Sequence, residues 1–285
     1  ADAVFALQQE FPSVLFRYTF HLFETDIATT DESIDLYEVS VTNDGVPELE
    51  QVLACLPDCT YADMAYTGID DETMAALAEK FPAVKFSWMI HFSSYYCRTD
   101  ANMLKASWPV DAFDSEEADV LKYCTDLIYL DIGHNEFTDL SFLSGMKDLQ
   151  VLIVAISRTI TDISPLANCT QLEYLELFTN KIVDVSPLSG LTELKHLNLC
   201  NNLIEDASPL YGLQNLERLW ISGNPLSKEQ KELLVENLPN CEINFTTVNP
   251  TAEGWKKGAR YDLLSEQFLY GSYTTYLRFG SYDRP

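Results

Sequence analysis

Between residues 127 and 226, apolar positions recur on a fixed frame. Leu127, Leu149, Leu172, Leu194 and Leu216 each open a unit, at spacings of 22, 23, 22 and 22 residues. Each unit reads Leu-x-x-Leu-x-(Leu/Ile/Val)-x-x-Asn-x-(Ile/Leu/Phe), as in "LIYLDIGHNEF", "LEYLELFTNKI", "LKHLNLCNNLI" and "LERLWISGNPL". The unit "LQVLIVAISRTI" carries one additional residue and has Ser157 where the others have Asn. Around the second leucine, apolar and polar positions alternate, which is the period of a half-buried strand. One such strand per unit predicts a stack of short parallel strands about 4.8 Å apart.

The chain leaves these strands at Asn135, Asn180, Asn202 and Asn224. A buried bend has backbone groups without ladder partners, and an Asn amide both donates and accepts. The asparagines are therefore expected to form a ladder from coil to coil, with a local bulge at Ser157. Next come "TDISPL" (161–166), "VDVSPL" (183–188) and "EDASPL" (205–210). In these, Ser is expected to cap a short helical turn, Pro suits its first position, and Leu enters the core. The Asp two residues before Ser is expected to brace the turn.

Units of this type resemble the repeats of internalins, surface leucine-rich repeat proteins of Gram-positive bacteria. The fold expected is an α/β leucine-rich repeat solenoid with a parallel β-sheet on the concave face. Helix-containing coils stand at its ends, and short turns or 3-10 segments in its middle. The resemblance implies an extracellular or cell-surface location. The chain opens at Ala1-Asp2 without a visible signal peptide, so a leader or anchor removed ahead of it is expected.

The flanks carry a longer unit of helix, Leu/Phe-Pro and strand: "LQQEFPSVLFRYTF" (7–20), "LACLPDCTYADM" (53–64), "LAEKFPAVKFSWM" (77–89) and "LVENLPNCEINF" (234–245). Leu49, Val52, Leu53 and Leu56 fall at i, i+3, i+4 and i+7, as do Met74, Leu77, Ala78 and Phe81, so the preceding helices are amphipathic. "SKEQ" (227–230) reads as a capping box. The expected organisation is an N-terminal cap segment (1–30), helix-containing repeats (31–92), a non-repeat insertion with a short helix (93–126), internalin-like repeats (127–246) and an aromatic C-terminal cap (247–285). Trp255, Phe268, Tyr270, Tyr273 and Tyr276 would supply the apolar surface of that cap, since exposed solenoid ends must be covered.

Composition narrows the function classes. The chain has 44 acidic and 18 basic residues among 285, a formal net charge of -26. That field repels nucleic acid and anionic membranes. No stretch of 18 apolar residues exists to span a bilayer. Seven cysteines cannot all pair internally. Cys124 and Cys169 occupy core positions that other units give to Met146, Leu191 and Leu213, and Cys59 and Cys241 stand where Val14 and Val84 do elsewhere. Buried free thiols in place of aliphatics are expected, with no disulfide framework and no metal site.

No nucleophile elbow, phosphate loop or dinucleotide fingerprint is present, and no catalytic residue or cofactor is expected. Asp131 and Glu176 share a strand position two coils apart, with Ile153 between them, which predicts no low-dielectric carboxylate pair. The candidate site is instead the outward face of the strands. Its first row is Tyr129, Val151, Tyr174, His196 and Arg218. The second is Asp131, Ile153, Glu176, Asn198 and Trp220. The third is Gly133, Ala155, Phe178, Cys200 and Ser222. The predicted binding residues are Tyr129, Asp131, Val151, Ile153, Tyr174, Glu176, Phe178, His196, Arg218 and Trp220. Aromatic residues and Arg anchor interfaces, so a non-enzymatic scaffold with a protein partner is expected. A carbohydrate-binding module using stacked aromatics is the first alternative, and an enzyme or enzyme subunit using 93–126 the second. Equally open is burial of this face by the insertion or the aromatic tail.

Overall fold

The computed structural model describes residues 2–11, 13–14, 16–107, 112–251 and 255–256. The chain divides into two compact units, Ala1–Ile90 with Arg98–Asp100, and His91–Cys97 with Ala101–Pro285. In the first unit, α1 (Asp2–Glu10) precedes an antiparallel hairpin of β1 (Thr19–Leu22) and β2 (Thr25–Ala28). Then β3 (Ser33–Asp35), α2 (Thr42–Leu53), β4 (Tyr61–Asp63), α3 (Asp71–Lys80) and β5 (Lys85–Ser87) alternate, and the three strands pair in parallel. The helical period decides which face is buried: Leu49, Val52 and Leu53 of α2 and Met74 and Leu77 of α3 are inaccessible to solvent or nearly so. Asp70 caps α3, its side chain accepting from the Thr73 N–H at 2.8 Å.

A second hairpin follows, β6 (Met89–Phe92) and β7 (Tyr95–Arg98). It repeats the first without a gap at a constant offset of 70 residues. Thr29 closes the first hairpin, its N–H donating to the Tyr18 carbonyl at 2.8 Å while its Oγ1 accepts from the Tyr18 N–H at 3.0 Å. Thr99 does the same with Trp88 at 2.9 and 3.1 Å. The segment 93–126, read from sequence as a non-repeat insertion, thus opens with a recurrence of the hairpin near the chain's start. It continues with β8 (Met103–Lys105), a strand of the main sheet, and a 3-10 helix at Glu117–Tyr123 where a short helix is expected. The strand is only three residues long and its coil lacks the leucine frame, so periodicity alone did not reveal it.

The second unit is built on a seven-stranded parallel sheet. From β8 it runs through β9 (Tyr129–Asp131), β10 (Val151–Ile153), β11 (Tyr174–Glu176), β12 (His196–Asn198) and β13 (Arg218–Trp220) to β14 (Glu242–Asn244), with α4 (Lys228–Asn237) before the last strand. Leu130, Leu152, Leu175, Leu197 and Leu219 face the core from one register position and are fully buried. The Asp-x-Ser-Pro-Leu segments form 3-10 turns. Here the Asp, not the Ser, acts as the cap. Asp162 Oδ1 accepts from the Ser164 N–H at 2.8 Å and its Oδ2 from the Ser164 hydroxyl at 3.0 Å, and Asp184 holds Ser186 in the same way. The Ser hydroxyl is spent on that Asp, which a two-residue separation favours. Of the "SKEQ" capping box, one half forms. The Gln230 N–H donates to Ser227 Oγ at 3.1 Å, whereas the Gln230 side chain accepts from the Ala207 N–H and the Tyr211 hydroxyl.

The asparagines form the ladder. Asn202 Nδ2 donates to the carbonyls of Leu177 and Leu199, both at 3.0 Å, and its Oδ1 accepts from the Ile182 N–H at 3.1 Å. Asn180 and Asn224 repeat the pattern one coil away on either side. The residue before each ladder position is left-handed: His134, Ile156, Thr179, Asn201 and Gly223. Gly223 is required there, because a Cβ would sit 2.2 Å from Asn201 Oδ1. The extra residue of the Ser157 coil is taken up locally, with both Ile156 and Arg158 left-handed, while β10 stays in register with both neighbours. Ser157 Oγ is buried with no hydrogen-bond partner among the described residues. Replacing Asn202 with Ala leaves the Ile182 N–H without its partner and takes one of two donors from each of the Leu177 and Leu199 carbonyls, which Asn180 and Asn224 still reach. A loss of about 1–3 kcal/mol is therefore expected in urea unfolding. A loss below about 0.5 kcal/mol would show that water replaces the ladder at no cost.

None of the seven cysteines is in a disulfide, and all but Cys241 are buried. Burial alone pushes the Cys169 thiol up to about 11, so this residue is an inert core group rather than a nucleophile.

Candidate functional site

Strand pairing sets the two outward rows side by side. Tyr129, Val151, Tyr174, His196 and Arg218 are register partners in turn, as are Asp131, Ile153, Glu176, Asn198 and Trp220. The sheet extends both rows beyond the repeat frame, with Met103 and Lys105 at one end and Glu242 and Asn244 at the other.

Part of this face is covered. Trp255 lies fully buried against it, its ring centroid 5.6 Å from Tyr174, 5.9 Å from His196 and 5.5 Å from Trp220. Its indole Nε1 donates to Glu176 Oε1 at 2.7 Å. Three outward side chains donate to main-chain carbonyls of the same segment: Ser222 to Thr247 at 2.8 Å, Asn198 to Pro250 at 2.8 Å and Arg218 to Trp255 at 3.2 Å. In consequence Val151, Tyr174, Glu176, Phe178, His196 and Trp220 are buried, as is Asp131, while Tyr129, Ile153 and Arg218 keep partial exposure. The indole of Trp220 has no hydrogen-bond partner among the described residues. Phe268, Tyr270, Tyr273 and Tyr276, expected in the same cap, lie outside the described residues.

Beside Trp255 the face holds a cavity of about 230 Å³. Asp131, Ile153, Glu176 and Phe178 line it from the strands and their exits, and Thr251 and Lys256 from the covering segment. Both carboxyls are buried, two strands apart with Ile153 between them, and that burial cannot be read from the strand pattern alone. Burial pushes Glu176 up, although the Tyr174 hydroxyl and Trp255 indole both donate to its Oε1 and favour the ionised form. Burial likewise pushes Asp131 up, against donors from the Ser107 hydroxyl at 2.8 Å and the Gly133 N–H at 3.2 Å. His134, also on the cavity wall, is held below its ordinary value by burial and by the nearby Lys256 and Arg158.

Sequence reasoning found Asp131, Ile153, Glu176 and Phe178 but missed Ser107, Thr251 and Lys256. The one signal available was the small side chains of Gly133 and Ala155 in the third row, which leave the space open. Among the described residues, no three His, Cys, Asp or Glu side chains gather as a metal ion would need. No helix among them is long and apolar enough to cross a membrane.

The raised Glu176 carboxyl has a consequence for stability. A carboxyl whose folded value lies above its unfolded one binds more protons in the native state, so stability falls as pH rises above about 4.3 toward the native value. Glu176→Gln keeps an oxygen for Tyr174 and Trp255 but removes the titration. The variant is expected to lose less stability than the parent over that window, as read by urea unfolding at successive pH values. Parallel curves for the two proteins would show that Glu176 does not titrate in a buried site.

The strand frame, the asparagine ladder and the in-register parallel sheet define a leucine-rich repeat protein. Its 22-residue coils with their Asp-x-Ser-Pro-Leu turns resemble the repeats of internalins. The family pattern described as Leucine Rich repeats (2 copies) matches residues 192–234. No curated protein matches the chain. Among solved structures, an internalin from Listeria monocytogenes shares 24% identity, covering 72% of this chain and 67% of that one, with a TM-score of 0.47. Internalin C2 from the same organism shares 24% identity over 78% of this chain and 86% of its own, with a TM-score of 0.46. A leucine-rich repeat protein of Leptospira interrogans shares 23% identity over 69% of this chain and 51% of its own, with a TM-score of 0.47.

Proposed function

We propose that this chain is a non-enzymatic scaffold that holds an extended segment of a protein partner on the outward face of its strands, at a bacterial cell surface or in secreted form. The observation that supports this reading is the way the face holds Thr247, Pro250 and Trp255. Side chains of Asn198, Ser222 and Arg218 each donate to a main-chain carbonyl, and an aromatic side chain enters between Tyr174 and Trp220. Donors aimed at main-chain carbonyls, together with one aromatic anchor, suit extended polypeptide of varied sequence. Tyr129, Ile153 and Arg218 remain partly open to a partner, and the other outward residues would meet it where Trp255 now lies.

The test uses the chain's own segment as a defined ligand. A labelled peptide TVNPTAEGWK, copying residues 247–256, is titrated into the full chain carrying Trp255→Ala. Saturable binding is expected, and it should be lost when Trp220→Ala or Phe178→Ala is added to a chain that still unfolds cooperatively. Peptide binding that persists in those variants would place recognition elsewhere, and no binding to any of them would end the polypeptide reading.

A further inference from the structure

The cavity beside Trp255 is partly open to solvent and holds about 230 Å³, several times the roughly 30 Å³ that one water occupies in the liquid. It exists because the third outward row carries Gly133 and Ala155 on neighbouring coils, while the next coil carries Phe178. A Cβ on Gly133 would make only ordinary contacts of 3.4–3.5 Å with Ala155 O, Asp131 and Ile153. Larger side chains could therefore fill the space, and the sequence does not supply them.

The acidic groups on its wall are two carboxyls, each under a tenth exposed, and Ser107, His134, Thr251 and Lys256 also line it. Register places them on either side of Ile153, two strands apart, roughly 10 Å by strand spacing. Asp131 has both oxygens engaged, by Ser107 and Gly133. Glu176 differs: both of its donors, Tyr174 and Trp255, reach Oε1, and Oε2 receives none among the described residues. A carboxylate oxygen that receives no donor among the described residues, on the wall of an open space, is a vacant acceptor site. Lys256 also lines the cavity from an exposed position, and its charge favours the ionised form of both carboxyls. Between the two carboxyls the wall is apolar, formed by Ile153 and Ala155 with Phe178 alongside.

We propose that this cavity binds an alkylammonium group carried on a short apolar body. The ammonium would donate to Glu176 Oε2 and face Asp131, and the alkyl part would lie on Ile153 and Ala155. A free amine and the side chain of a lysine present the same chemistry. The site is independent of the peptide reading, because it is formed with Trp255 in place.

The test is calorimetric titration of the full chain with n-pentylammonium, 1-pentanol and valerate, which share a body and differ in charge. Pentylammonium is expected to bind at least about tenfold more tightly than either of the others. Ala155→Leu should abolish binding by filling the cavity. Glu176→Gln, which conserves shape and the bonds to Tyr174 and Trp255, should weaken it by about tenfold or more. Nα-acetyl-lysine N-methylamide separates the two sources. Affinity comparable to pentylammonium assigns the site to a chain-borne lysine, and binding of pentylammonium alone assigns it to a free amine. Equal or tighter binding of pentanol or valerate, unchanged pentylammonium affinity in Glu176→Gln, or no pentylammonium binding would overturn the proposal.

Discussion

Trp255→Ala should lower stability by about 3–5 kcal/mol, the usual cost of removing a large buried aromatic side chain. The expected size follows from where the ring sits. It is fully buried and packs against Tyr174, His196 and Trp220 at centroid distances of 5.5–5.9 Å. It also satisfies a buried carboxyl through the 2.7 Å bond to Glu176. The variant leaves an apolar face uncovered, so binding of a hydrophobic dye should rise in the native baseline. Urea unfolding of the full chain measures the first effect and dye fluorescence the second. A stability change below about 0.5 kcal/mol with no gain in dye binding would mean that the segment does not cover the face in solution. The same substitution separates two roles for the segment, since a mere cap would add stability without leaving a peptide-binding surface behind.

Arg98→Met should cost a similar amount, about 3–5 kcal/mol, by leaving buried carboxylates without their counter-charge. Arg98 is fully buried in the first unit. Its Nη1 donates to both oxygens of Asp63 at 3.0 Å, and its Nε to Asp100 at 2.9 Å. Its Nη2 reaches the Ser87 hydroxyl at 2.7 Å and the Tyr61 hydroxyl at 2.9 Å. Burial works against an ionised Asp100, yet the bonds from Arg98, Ser87 and Tyr61 hold its carboxyl below the ordinary range. A lowered folded value contributes stability that is complete above the unfolded value, about 3.9, and is lost as pH falls through the folded one. Acid unfolding of the parent should therefore be steeper than that of the Met variant. If the variant is as stable as the parent, apolar packing compensates for the whole cluster, as it does when all partners of a buried ionic group are replaced together.

What could be read in advance divides along physical lines. The repeat frame predicted the strands at 129, 151, 174, 196 and 218 because each coil buries its leucines against its immediate neighbours. That is a local demand, repeated often enough to show. The ladder was legible for the same reason. The role of the Asp in each turn was visible, but its priority over Ser as the cap was not, since that depends on which acceptor reaches the Ser164 and Ser186 N–H groups. β8 was missed because three residues of "MLK" carry too little pattern to register, even though the strand bonds fully to β9. The first hairpin and its recurrence were likewise hidden, since a threonine lock such as Thr29 with Tyr18 leaves no periodicity.

The candidate site shows the division most sharply. From sequence alone come the rows and their membership: strand alternation dictates that Tyr129, Asp131, Ile153, Glu176, Phe178 and Trp220 leave the core side of the sheet. Whether those side chains meet solvent is not a property of the strands. Tertiary structure decided it by setting Thr247, Pro250 and Trp255 against one end of the face. Glu176 and its partner Trp255 are 79 residues apart, and no local pattern encodes a contact at that separation. The same step decided the electrostatics. A carboxyl at an outward strand position is an ordinary solvated acid until another segment removes its water, and then burial, with a smaller contribution from Asp131, raises the value of Glu176 and leaves it lining a space that the sequence does not fill.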